Sequence, residues 1–108
     1  MPATHATNGI VEMARTFRLL GDSTRLAMIR ALMTGRERNV GWLAAETGNS
    51  QANTSKHLKH LARAGILSRR KVGLQVYYRL ANPIVERLWR LAAQSSASDN
   101  RARRRRVG

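Results

Sequence analysis

Residues 39–65, NVGWLAAETGNSQANTSKHLKHLARAG, read as two helices with only three residues between them. Asn39 is a suitable N-cap for a short helix over 40–47 that turns Val40, Leu43 and Ala44 inward, and Gly48 and Asn49 break it. Ser50 caps the next helix, over 51–64, and Gly65 closes it. In that second helix Thr54, Leu58, Leu61 and Ala62 recur at helical spacing, so they face a core. Gln51, Asn53, Ser55, Lys56, His57 and Lys59 fall mostly on the other side. No acid lies between Ser50 and Gly65. Such a face is either ordinary solvated surface or one suited to nucleic acid, because amides read base edges and cations meet phosphates. Two helices joined by a short Gly-containing turn, the second polar and basic outside, form a helix-turn-helix, and the second helix would enter a major groove.

Downstream, Ile66 to Lys71 (ILSRRK) reads as a strand, Val72 to Gln75 can turn at Gly73, and VYYRL over 76–80 alternates like a second strand. A hairpin over 66–80 makes the helix-turn-helix winged and lays Arg69, Arg70 and Lys71 along the sugar-phosphate backbone. Upstream, Ile10, Met13, Ala14, Phe17 and Leu20 form a stripe on a first helix that Gly21 stops. Asp22 and Ser23 offer caps for a second helix over 24–33, with Leu26, Ile29, Leu32 and Met33 as its apolar face, while Arg36 to Arg38 is either a brief strand or a loop. A last helix starts at Pro83 with Asn82 as cap and carries Ile84, Val85, Leu88, Trp89, Leu91 and Ala92. Phe17, Leu20, Leu88, Trp89 and Ala92 pack either within one chain or against a second copy. The second is favoured here, because a helix-turn-helix gains affinity by binding two half-sites.

The expected fold is therefore mainly α with a small β-hairpin, in the order α-α-α-α-β-β-α. Residues 1–9 form a flexible lead and 10–93 a DNA-binding and dimerisation domain. Residues 94–108, almost without apolar content, form a disordered Arg-rich tail.

The chain has 108 residues, enough for one domain with a modest core. Twenty Lys and Arg against six Asp and Glu give a formal charge of +14, which points to a polyanionic partner. The tail does not account for it: without residues 97–108, which hold five Arg and one Asp, the net charge is still +10. There is no cysteine, hence no disulfide, thiolate metal site or thiol switch. The start of the chain lacks the basic and apolar regions of a signal peptide, and no apolar run reaches the roughly 18 residues of a membrane span, so a cytoplasmic protein without membrane contact is expected. Six scattered acids, no Gly-rich phosphate loop and no nucleophile constellation speak against an enzyme.

With LLGDSTRLAMIRAL, NVGWLAAETGNSQANTSKHLKHLARAGIL and VYYRLANP in this order, the chain resembles the ArsR/SmtB family of bacterial winged-helix transcriptional repressors over roughly residues 12–92. The resemblance implies a homodimer joined through its first and last helices, an inverted-repeat operator in double-stranded DNA, and release by an inducer. It also implies that Ser50, Gln51, Asn53, Ser55 and His57 face DNA. Thr54 departs from the family, which has an apolar residue there. Its hydroxyl either loosens the helix or bonds back to the backbone.

The family's sensing residues are missing. Thiol-responsive members carry Cys near the 40–47 helix or the termini, and metal-responsive members carry Asp and His pairs on the last helix, whereas this last helix has Glu86 as its sole acid up to Gln94 and no His. His57 and His60, three apart, are weak candidates for a shared ion, but a tetrahedral site takes about four ligands. No cofactor or metal is expected, and a small-molecule inducer stays open. Arg101 and Arg103 to Arg106 act either as a minor-groove arm or as a solvated end. The competing function is a non-specific nucleoid-type or RNA-binding module that works on charge alone. That alternative requires equal affinity for operator and random duplex.

Overall fold

Capping side chains divide the chain into its helices. The structure, a computed structural model, describes the backbone of residues 2–107 and the side chains of residues 9–95. Helix α1 spans Pro2–Leu20 and α2 spans Ser23–Ala31; between them Asp22 accepts from the Thr24 and Arg25 backbone N–H groups at 2.8 and 3.2 Å. Strand β1, Arg38–Asn39, leads directly into α3, Val40–Thr47, where Asn39 Oδ1 accepts from Trp42 N–H at 2.8 Å. Helix α4 spans Gln51–Arg63 under a Ser50 cap, β2 spans Leu67–Val72, β3 Gln75–Leu80, and α5 Pro83–Val107 under an Asn82 cap.

Of Arg36–Arg38, read as strand or loop, Arg36 and Glu37 are loop and Arg38 begins a two-residue strand. Arg38 pairs with Tyr78 and Asn39 with Tyr77, giving an antiparallel sheet of order β1-β3-β2. In the hairpin Arg69 lies opposite Tyr78, Arg70 opposite Tyr77 and Lys71 opposite Val76. Gly73 turns the chain at φ +60, the conformation glycine adopts without steric cost, and Leu74 follows it at the tip.

Helix α1 begins at Pro2, a residue suited to a first helical position, and continues through Gly9. Helix α5 continues to Val107, since residues 94–107 contain neither Gly nor Pro to stop it. The side chains of the arginines in the tail, and with them its expected role on DNA, lie outside the described residues. Conversely α2 ends at Ala31, short of Met33, with Leu32 as C-cap and Gly35 at φ +79 reversing the chain.

Met28, Ile29 and Leu32 of α2, Leu43 of α3, Leu58 and Leu61 of α4, Ile66, Leu67, Tyr78 and Val85 form the core. Each such side chain stabilises the fold by about 1.5–3 kcal/mol relative to exposure. The inward stripe of α4 thereby fixes which of its faces meets solvent. The radius of gyration is 16.7 Å, against roughly 13 Å for a compact domain of this length, because α1 and α5 reach beyond the core. Among the described residues no helix is long and apolar enough to cross a membrane.

Thr54 is fully buried in this core, and its hydroxyl has no hydrogen-bond partner, so it does not bond back to the backbone. Removing a buried, unsatisfied hydroxyl while keeping the side chain's shape should stabilise. Thr54→Val is expected to add about 1 kcal/mol, a rise of about 4–8 °C in thermal midpoint by circular dichroism.

Candidate nucleic-acid interface

The turn before α4 is held by its own side chains and backbone. Gly48 takes φ +69, Asn49 N–H donates to Ala44 O at 3.0 Å, and Asn49 Nδ2 donates to Thr47 O at 3.1 Å. Ser50 Oγ accepts from Asn53 N–H at 3.1 Å. Ser50, expected among the base-reading residues, thus has its oxygen committed to the helix end, with only its hydroxyl proton left to donate outward. With α3 and α4 locked at this angle and Leu58 and Leu61 buried, the solvent side of α4 has no freedom to rotate.

That side carries Gln51, Ala52, Asn53, Lys56, Lys59 and Arg63, all exposed, with Ser55 and His60 half-buried. Ala52, Ser55, Lys56, Lys59, His60 and Arg63 border one shallow hollow along the helix. Asn53 Nδ2 reaches Asn49 Oδ1 at 3.5 Å, so its amide oxygen remains open to a donor. Five of the expected residues, Gln51, Asn53, Ser55, Lys56 and Lys59, are brought together here.

His57, expected to face DNA, is half-buried, and its Nδ1 is shielded from solvent without a hydrogen-bond partner. The Asp22 carboxyl is held below the ordinary carboxylate value chiefly by the Arg25 N–H bond. His60 borders a different hollow, beside Arg15, Arg18, Arg25 and Arg63, a cationic setting that opposes metal binding. Among the described residues no three His, Cys, Asp or Glu side chains converge as a metal site.

The wing divides its three bases. Arg69 and Lys71 are exposed, and Arg69 borders a hollow with Lys59, Ala62 and Arg63, so it extends the α4 surface. Arg70, expected on phosphate with them, forms a forked pair with Glu37: Nε lies 3.0 Å from Oε1 and Nη2 2.6 Å from Oε2. The hydrogen bond from Arg70 is the main cause that keeps the Glu37 carboxyl below its ordinary value of 4.5. Sequence reading missed this partner because 33 residues separate the two. It also missed Arg63 and the arginines of α1 and α2, which look like ordinary helix surface until the helices are placed side by side.

The expected dimer residues do converge. Phe17, Leu20, Leu88, Trp89 and Ala92, with Leu26, Ile29 and Val85, line an apolar groove of about 260 Å³ between α1, α2 and α5. Around it, six of the eight large hydrophobic side chains that stand exposed among the described residues belong to α1 or α5: Ile10, Val11, Met13, Phe17, Ile84 and Leu91.

Residues 20–70 match a family of helix-turn-helix domains. The chain is 35% identical over 102 residues to a probable mercury resistance operon repressor of Streptomyces lividans, covering 94% of this chain and 77% of that protein. It is 36% identical over 81 residues to the arsenical resistance operon repressor of Escherichia coli K12, covering 68% and 69%. Its fold matches the homodimeric winged helix-turn-helix DNA-binding domain of a possible ArsR-family regulator from Mycobacterium bovis. That match has a TM-score of 0.75 and 30% identity, over 84% of this chain and 83% of that one. This chain belongs to the ArsR family of winged helix-turn-helix transcriptional regulators, which are not enzymes.

The Glu37–Arg70 pair has two measurable consequences. A carboxyl with a lowered folded-state pKa adds stability above its ordinary value, and that stability is lost as pH falls through the lowered one. The urea midpoint of Glu37→Gln should therefore lie below that of the parent at pH 7 and converge with it as pH falls through the lowered pKa. The same substitution frees Arg70 for phosphate, so DNA affinity should rise and the salt slope steepen by about 0.9.

Proposed function

We propose that this regulator is a dimeric repressor that sets one α4 in each of two successive major grooves of an inverted-repeat operator, about 34 Å apart. The observation that carries this reading is the solvent side of α4: amides, hydroxyls and cations with no carboxylate, on a helix whose rotation is fixed by buried leucines. Gln51 and Asn53 read base edges, Ser55 assists, and Lys56, Lys59, Arg69 and Lys71 hold phosphates. His57, half-buried with a shielded ring nitrogen, supports the reading helix, and Ser50 holds its first turn.

Dimerisation through α1 and α5 covers the groove at Phe17, Leu20, Leu88, Trp89 and Ala92. It brings the exposed Ile10, Met13 and Ile84 out of water, which supplies the hydrophobic driving force. Binding at a promoter then represses by occlusion. For an inducer, mercury or arsenite capture by thiolates is not open to a chain without cysteine. An apolar organic molecule lodged in the groove fits its lining.

Anisotropy titration against the DNA upstream of its own reading frame should give an affinity at least about 10³-fold above that for random duplex. Equal affinities would support the charge-only alternative. Gln51→Ala should change which operator bases matter, each good bidentate contact being worth about 1–3 kcal/mol. Arg69→Ala should weaken all duplexes alike and flatten the salt slope by about 0.9. For the dimer, light scattering should give twice the 12.1 kDa chain mass, and Phe17→Glu should reduce it to one.

A further inference from the structure

Four arginines from three helices line one hollow, and of these only Arg63 also borders the exposed face of α4 and the hollow toward the wing. Arg15 and Arg18 come from α1, Arg25 from α2 and Arg63 from α4, with His60 beside them, around a space of about 480 Å³. Among the described residues none of the four is in an ion pair. Of the carboxylates nearby in the chain, Asp22 has its oxygen already committed to the backbone N–H groups of Thr24 and Arg25, and Glu12, one turn before Arg15 on α1, forms no ion pair with it. The Nε of Arg25 is shielded from solvent and has no hydrogen-bond partner. Four cationic side chains around one hollow, none of them in an ion pair among the described residues, suit an anion shared among them.

The position of the hollow selects the anion. His60 and Arg63 border both this space and the hollow along the exposed face of α4, so the two basic surfaces are continuous. On the other flank of α4, Arg69 extends the same surface toward β2. The reading helix is bracketed by guanidinium groups on both sides, as the two phosphate strands of a major groove bracket its floor. On α1, Arg15 and Arg18 lie on the side away from Met13, Phe17 and Leu20, so a phosphate there and a second copy on the apolar stripe do not compete.

We infer that this hollow seats a backbone phosphate of DNA flanking each half-site, extending the footprint of every subunit from α4 onto α1 and α2. The inference rests on the DNA-binding reading above and adds sequence-independent affinity to it.

The test uses the full chain in anisotropy titrations over a range of chloride concentrations, on upstream and on random duplex. Arg15→Gln/Arg18→Gln should lose about tenfold in affinity on both duplexes and flatten the salt slope by about 1–2. Its operator base preferences should be unchanged. Arg15→Lys/Arg18→Lys should keep most of the slope, and the thermal midpoint of the Gln variant at low salt should equal or exceed that of the parent. An unchanged slope in the Gln variant overturns the inference. So does a lower midpoint accompanied by loss of the Lys variant's binding, which would make the arginines structural. If the parent binds both duplexes equally, sequence-specific repression fails while the slope still decides the hollow. If the parent binds no duplex, both readings fall.

Discussion

Asn39 joins the two halves of this fold. Its backbone pairs with Tyr77 in the sheet, and its side-chain oxygen caps the helix that begins one residue later. The residues before it act in the same sense. Arg38 stacks over Trp42 of α3 at 4.1 Å while pairing with Tyr78, and Glu37 holds Arg70 of the wing. A two-stranded hairpin alone is at best marginally stable in water; a third strand, however short, and a helix cap on the same residue make the wing a rigid extension of α3. Because α3 in turn fixes α4 through the Gly48 turn, the distance from reading helix to wing is set by three consecutive residues.

The acids complement this arrangement by where they stand. Asp22 caps α2, Glu37 is spent on Arg70, and Glu86 pairs with Arg90 along α5. None is on α4, and the carboxylate near its flank is occupied by backbone N–H groups. Asp22, Glu37 and Glu86 use their charge to terminate a helix or tie side chains, and α4 and β2 carry cations without a carboxylate. The geometry thus separates two tasks that composition alone merges. Amides stand at the start of α4, and arginines and lysines stand around it.

Local chemistry was legible in the sequence and distant pairing was not. The bounds of α3 and the caps Asn39, Ser50 and Asn82 are all where the residues place them, because a cap acts within three residues of itself. The convergence of Phe17, Leu20, Leu88, Trp89 and Ala92 was legible too, since helical periodicity leaves few other places for them. The Arg70–Glu37 pair and the shielding of the His57 ring nitrogen depend on how elements pack, and no spacing rule along the chain encodes them. Helix ends without Gly or Pro, as in residues 94–107, leave no mark to read, whereas Gly48 and Gly65 announce their stops through positive φ.

The apolar side chains that α1 and α5 leave open carry a consequence for dosage. When folding, pairing and DNA capture are linked through one hydrophobic face, below the pairing constant the concentration of the capturing species rises as the square of total chain. Operator occupancy then responds steeply to small changes in synthesis or degradation. Dilution at cell division becomes a signal in its own right, and any molecule that wedges into the groove acts by resetting that threshold without touching α4.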